Sequence, residues 1–328
     1  MKLIKSFMII LILSLSITCY IDIPKLEEEL IELRAGATTT IASGNLYDEM
    51  VLVPVAGKSL EMINAWNTND TYVATISYDY YIGKYEVTYN LWYDVRDWAK
   101  SNGYSFANEG FEGNDGGSSA PTSAGAEPVT TVNWRDVMVW CNAYSQKSGL
   151  FPCYTYNSSV IKDSRDSNAT ACDSAVCNWT ANGYRLPTEA EWEFAARYID
   201  GTNWIPYNGC SGYTGAVAFT GSNYQITEWG PYIWYYYNSS DKTQTVGTKL
   251  GNALGIHDMS GNVWEWSWDW YESYPADQSD YKGGMSGSYR VVRGGGCNGS
   301  ADYIQVGARY DVHPYGASIA IGARLVRR

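Results

Sequence analysis

Apolar and polar positions alternate in short, interrupted runs along this chain, and each run is bounded by turn residues. MVLVPVAGKSLEMI, from Met50, places two apolar runs either side of Gly57 and predicts two short strands. Leu91, Val95 and Trp98 fall at i, i+4 and i+7, which predicts one helix; Trp134, Val137, Cys141 and Tyr144 make the buried stripe of a second. A third helix start lies in GYRLPTEAEWEFAAR, 183–197, where Thr188 and Glu191 have the spacing of a capping box. A Gly/Ser-rich loop, 110–126, separates the first two helices. Toward the end, 293–324 obeys neither period. It opens on the glycines Gly294, Gly295 and Gly296, which permit positive φ and close backbone approach. It then mixes Tyr, Ser, Gly and Asn as binding loops do, with rigid aromatic area beside small adaptable polar groups.

Composition narrows this further. The chain has 328 residues, 15% aromatic, with 14 Trp, 29 Tyr, 32 Gly and 10 Pro, so it has ample core material and many turns. No repeat and no long linker divides it after residue 50, so one globular domain is expected over 49–328. Periodicity alone gives an α+β, turn-rich fold. The formal charge of −12 becomes about −14 once Lys2 and Lys5 of a leader are removed. Without a Lys/Arg cluster, such a surface repels phosphate backbones, which argues against nucleic acid as a partner.

Residues 1–18 read as a lipoprotein signal peptide: a basic start, an apolar run over 7–15 too short to span a bilayer, then Ser16 and Thr18 before Cys19. Ile17 departs from the stricter motif, and ordinary secretion with Cys19 inside the leader is the alternative. Acylated Cys19 would hold the mature chain on a membrane, exposed at the outer surface of the cell envelope. Residues 19–48 read as a tether, with a short charged helix over 25–34.

Taken in order, IGKYEVT, PVTTVNWRDV, RLPTEAEWEFAAR, GIHDMSGNVWEW and RGG…IGAR resemble the formylglycine-generating-enzyme, or sulfatase-modifying-factor, family. The resemblance implies a C-type-lectin-like fold with short strands and two main helices. It also implies where chemistry would sit. The family's copper-dependent oxidases use a C-x4-C pair after the final GG, where this chain has Cys297 alone; its iron sulfoxide synthases use several histidines, where this chain has His257 and His313. No catalytic residue is therefore assigned, and a metal-dependent oxidase of either type is the rival reading. A purely structural envelope protein is a third. The C-x4-C of Cys172 and Cys177 lies in another part of the chain and, in an exported protein, is expected to be a disulfide. The partners of Cys141, Cys153 and Cys210 stay open.

The segment 293–324 resembles the variable region of proteins diversified by retroelements. Asn codons altered at their first two bases never encode Lys, Glu, Gln, Met or Trp, and 297–320 contains none of these except Gln305. Gln305 is then a fixed position, with Ala301, Val306, Arg309 and Pro314, and Arg309 and Arg324 pin the loop. The ligand-contacting set is Cys297, Asn298, Ser300, Asp302, Tyr303, Tyr310, Asp311, Val312, His313, Tyr315, Ser318, Ile319 and Ala320. The expected function is ligand binding by a monomer, to a protein or a glycan. No cofactor is required. Calcium is the one metal the family pattern admits, on Asp258, the Gly261 and Val263 carbonyls, and Glu265, an all-oxygen set suited to a hard cation.

Overall fold

The computed structural model describes residues 49–215 and 227–328; the leader, Cys19 and the tether lie outside the described residues. The strands on either side of Gly57 form as the apolar runs predict: β1 (Met50–Val53), then β2 (Lys58–Asn64), which turns back into β3 (Asn67–Ile76). β4 (Tyr80–Gly83) follows and leads into helix α1 (Tyr89–Ser101), capped by Thr88. β5 (Phe111–Glu112) and β6 (Val129–Thr130) bracket the Gly/Ser-rich loop. Helix α2 (Trp134–Lys147) starts on a capping box of Asn133 and Asp136, and all four residues of its predicted stripe are buried. β7 (Tyr154–Tyr156), β8 (Ser159–Val160), the short helix α3 (Ala169–Asp173) and β9 (Val176–Cys177) precede α4 (Glu189–Arg197). Thr188 and Glu191 cap α4 reciprocally, as their spacing predicts.

After α5 (Tyr236–Ser239) come β10 (Trp264–Trp270), β11 (Gln278–Ser279), β12 (Arg290–Arg293), β13 (Arg309–Val312), β14 (Ile321–Gly322) and β15 (Val326–Arg327). Both ends of the described domain meet in one sheet, β1–β4–β15, and the site is carried by another, β13–β12–β10–β14.

Strand periodicity explains how that second sheet is held. Successive side chains of β10, WEWSWDW, point to opposite faces. Trp266, Trp268 and Trp270 go with Val292 toward α2. There Trp266 Nε1 donates to Val132 O at 3.1 Å, and Trp134 Nε1 donates to Ser267 O at 3.0 Å. Glu265 and Asp269 go the other way, toward α4. Trp192 Nε1 donates to Glu265 at 2.6 Å, and Glu189 N donates to Asp269 at 2.7 Å.

All nine residues of α4 are buried, including three glutamates, and each glutamate meets an arginine. Arg185 holds Glu191 through two 2.6 Å bonds, Arg293 and Arg197 hold Glu193, and Arg309 holds Glu189 at 2.7 and 2.8 Å. Burial alone would raise the Glu191 carboxyl, but the Arg185 charge outweighs it and keeps it at about 2.

The cysteines correct one expectation. Cys172 and Cys177 are both free, as are the four other described cysteines, all of them buried. Both belong to the main core, but Cys172 sits on α3 near Arg135 and donates to Asp163 O at 3.3 Å, whereas Cys177 on β9 neighbours Cys153 and Arg185. The spacing C-x4-C suits a small disulfide loop, but the helix-to-strand change between the two residues sends their sulfurs to different surroundings.

Candidate ligand-binding face

The segment leaving β12 is fixed before any outward side chain is considered. Gly294 and Gly295 adopt φ of +94° and +76°, and a Cβ on Gly295 would stand 2.8 Å from Tyr303 O. Backbone bonds then tie the loop down: Cys297 N to Asn262 O at 2.7 Å, Val306 N to Gly209 O at 3.0 Å, and Gly307 N to Tyr207 O at 2.7 Å. Ala301 and Ile304 pack with Cys210, Trp229 and Ile233, while Val306 joins the core around α4. Gln305, Ala308, Arg309 and Pro314 are buried as well.

Two residues expected to meet a ligand are therefore on the wrong side. Cys297 and Ala320 are buried, Cys297 completely, because its backbone crosses under the loop to reach Asn262 and Ser239. Burial pushes the Cys297 thiol up to about 12, so it remains protonated and a poor nucleophile. Asn298, Tyr303, Tyr310, Tyr315 and Ile319 are exposed; Ser300, Asp302, Asp311, Val312, His313 and Ser318 are half-buried. Asp311 also parts from its neighbours. On β13 it alternates with Tyr310 and Val312, which share one face, and it lies instead near Tyr271 on the side of Arg309.

The outward aromatics form two groups. Tyr303 and Tyr310 pack edge-on with Trp66 at 5.4 and 5.9 Å and are closed from below by Trp264 at 6.4 and 5.8 Å. His313 is stacked between Tyr289 at 4.2 Å and Tyr315 at 4.8 Å, with Arg135 over the Tyr315 ring. Tyr236 and Tyr237 on α5 are exposed beside the loop, where Tyr236 N bonds Gly299 O at 3.1 Å. Sequence reasoning passes over Trp66, yet INAWNTND carries the signal: a lone indole at a polar hairpin tip has no core to join.

The two histidines lie on different elements. His257 Nδ1 meets Lys249 O and its ring stacks on Tyr85, while His313 Nδ1 meets Ser288 O on another element. Among the described residues, no three His, Cys, Asp or Glu side chains are grouped to hold a metal ion.

The calcium pattern is a mixed case. Asp258, at φ +58°, accepts Gly247 N at 2.7 Å through Oδ2, while its buried Oδ1 has no partner and suits a hard cation. Glu265 is already satisfied by Arg324 and Trp192. Glu86, from IGKYEVT, belongs to the same group unannounced by spacing. It accepts Asn262 Nδ2 at 2.6 Å and Val263 N at 3.1 Å; burial, then the charges of Asp258 and Glu265, hold its carboxyl well above the usual range.

Comparison with known proteins agrees with this architecture. The sulfatase-modifying factor enzyme 1-like domain model matches residues 37–328. The structure of Treponema denticola variable protein 1 superposes with a TM-score of 0.66 at 34% identity, covering 85% of this chain and 95% of that one. The chaperone protein LppX of Paenibacillus barcinonensis is 32% identical over 304 residues, 91% of this chain and 96% of its own. The formylglycine-generating enzyme of Streptomyces coelicolor is 32% identical over 163 residues, 46% of this chain and 48% of the enzyme, so the likeness spans about half its length. This chain belongs to the sulfatase-modifying factor enzyme 1-like family and has its C-type-lectin-like fold.

Proposed function

We propose that this protein is a non-catalytic ligand-binding protein whose recognition face is the outward half of 297–320. The observation that carries the reading is the division within that segment. Ala301, Ile304, Val306, Ala308 and Arg309 are buried, while Asn298, Tyr303, Tyr310, Tyr315 and Ile319 are exposed, the three tyrosines touching other rings of the same face. A rigid scaffold presenting replaceable aromatic and small polar side chains is how diversified binding loops work. The likeness to a variable protein over nearly its whole length supports binding, and the likeness to a protein named as a chaperone favours a protein ligand.

A display library randomised at Asn298, Ser300, Asp302, Tyr303, Tyr310, Tyr315, Ser318 and Ile319 tests this. Most members should fold, and selection against an arbitrary protein should yield binders. A library that mostly unfolds, or copper-dependent turnover of a sulfatase-type cysteine peptide by the purified protein, counts against it.

Two accessory features belong to the same reading. Acylated Cys19 tethers the chain to the envelope; Cys19→Ser should then leave the detergent phase in partitioning, and unchanged partitioning removes the anchor. Calcium would sit on Asp258, whose orphaned oxygen it neutralises, and on the Gly261 and Val263 carbonyls, stiffening the turn; Glu265, already held by Arg324 and Trp192, would add negative charge more than a free ligand oxygen. Chelation should lower the melting temperature, and an unmoved melt removes the ion.

A further inference from the structure

Trp66 lies outside the segment that the binding reading rests on, yet it is locked to it. The indole is 41% exposed at the tip of the β2–β3 hairpin, so burial does not account for it. The backbone that carries it is fixed without the outward loop side chains. Ala65 N donates to Gly307 O at 3.0 Å, Trp66 N donates to Asn64 Oδ1 at 3.1 Å, and Asn64 Nδ2 donates to Asp70 at 3.1 Å. The contact at Gly307 is close: a Cβ there would stand 2.8 Å from both Ile63 O and Tyr207 O. Backbone bonds therefore seat Trp66 beside whatever occupies positions 303 and 310.

Charge suggests what such a surface receives. Arg309 is the only Lys or Arg in 297–320, and it is buried on Glu189. Asp302, next to Tyr303, is half-exposed and has the Ser300 hydroxyl on one carboxylate oxygen. Cations stack on rings repeatedly in this molecule, as Arg290 does over Trp270 at 3.4 Å and Lys249 over Trp234 at 3.8 Å. Among the described residues, the rings of Trp66, Trp264, Tyr303 and Tyr310 carry no such cation. Electron-rich rings, one of them on the residue after Asp302, on a chain of net charge −12, complement a guanidinium or ammonium group arriving from outside.

We propose that Trp66 is a fixed anchor of the binding face and that the occupant is a Lys- or Arg-bearing segment of a partner protein, its cation seated on Trp66, Tyr303 and Tyr310 with Asp302 as counter-charge. This rests on the loop being a binding face and adds the class of partner. Aromatic anchors of this kind dominate interface energetics, while their neighbours contribute little.

The test uses the full chain and three fluorescent probes: an octapeptide alternating glycine and arginine, its glycine–glutamate counterpart, and chitohexaose. The arginine peptide should bind. Trp66→Ala should weaken it at least tenfold, Trp66→Phe should restore most of the loss, and Asp302→Asn should weaken it several-fold. Asp97→Asn, an exposed carboxylate on α1, should change nothing, which separates the site from attraction by net charge. Absence of arginine-peptide binding, or equal losses in Trp66→Ala and Asp97→Asn, overturns the inference. Binding of the sugar or the acidic peptide that is lost in Tyr310→Ala also overturns the cationic partner while leaving the binding reading intact. Arginine-peptide binding that survives Trp66→Ala, Tyr303→Ala and Tyr310→Ala together removes both.

Discussion

The two sides of the segment 297–320 follow opposite rules. Its inner side is held by buried arginine–glutamate pairs. Arg309 grips Glu189; flanking the segment, Arg293 grips Glu193, and Arg324 grips Glu265 while also donating to Gly83 O and His257 O. The outer side has rings touching rings and a few bonds between short polar groups, such as Ser300 with Asp302. Buried charge is tolerated only when paired, so the inner side accepts almost no substitution; exposed groups are near neutral for folding. Stability and recognition thus alternate along one stretch of sequence while occupying separate surfaces.

A single series of thermal melts can break that separation. The largest loss should come from Arg324→Met, which leaves Glu265 uncompensated beside Glu86 and Asp258; breaking a buried pair costs about 3–5 kcal/mol. Trp266→Ala, fully buried against α2, should cost about 3–5 kcal/mol, and Ile304→Ala, inside the loop, about 2–5 kcal/mol. Trp264→Ala should cost less than Trp266→Ala, because Trp264 is only half-buried and belongs to the outer group. Tyr310→Ala should cost no more than roughly 0.5 kcal/mol. If Tyr310→Ala melts with Ile304→Ala, the two sides are one core.

A pH series sharpens the inner side. Burial, then the charge of Glu189, raises the Asp269 carboxyl to about 7. The folded chain keeps this proton where the unfolded chain has lost it. The contribution is therefore complete below Asp269's ordinary value of about 3.9, declines as pH rises, and is gone once pH passes about 7. Asp269→Asn keeps an acceptor for Glu189 N and removes the titration. Urea midpoints measured from pH 4 to 7 should then change less steeply than in the parent. An identical slope assigns the dependence to other groups, with Glu86 and Asp258 next in line.

Much of this was legible in the residues themselves. Capping at Thr188 with Glu191 is local, so it could be read from spacing, and so could the stripe of α2. The family motifs carried the fold, and the lack of period over 293–324, together with its Tyr, Ser, Gly and Asn content, marked the face. Local order of this kind depends on neighbours three or four positions away, which the sequence states directly.

What the sequence could not state were the partners supplied from far along the chain. Cys297 and Ala320 turn inward because Asn262 and the core claim that backbone; Asp311 turns from Tyr310 because the pleat of β13 reverses each successive side chain. Trp66 and Glu86 join their groups across separations of about 240 and 180 residues, and Cys172 and Cys177, five positions apart, are parted by the change from helix to strand. Residue type and spacing by themselves determined which elements form and which stretch is free of core duty. Only the tertiary structure decided which side chains of that stretch face out and what stands beside them, because that depends on which distant strand or hairpin packs against each side.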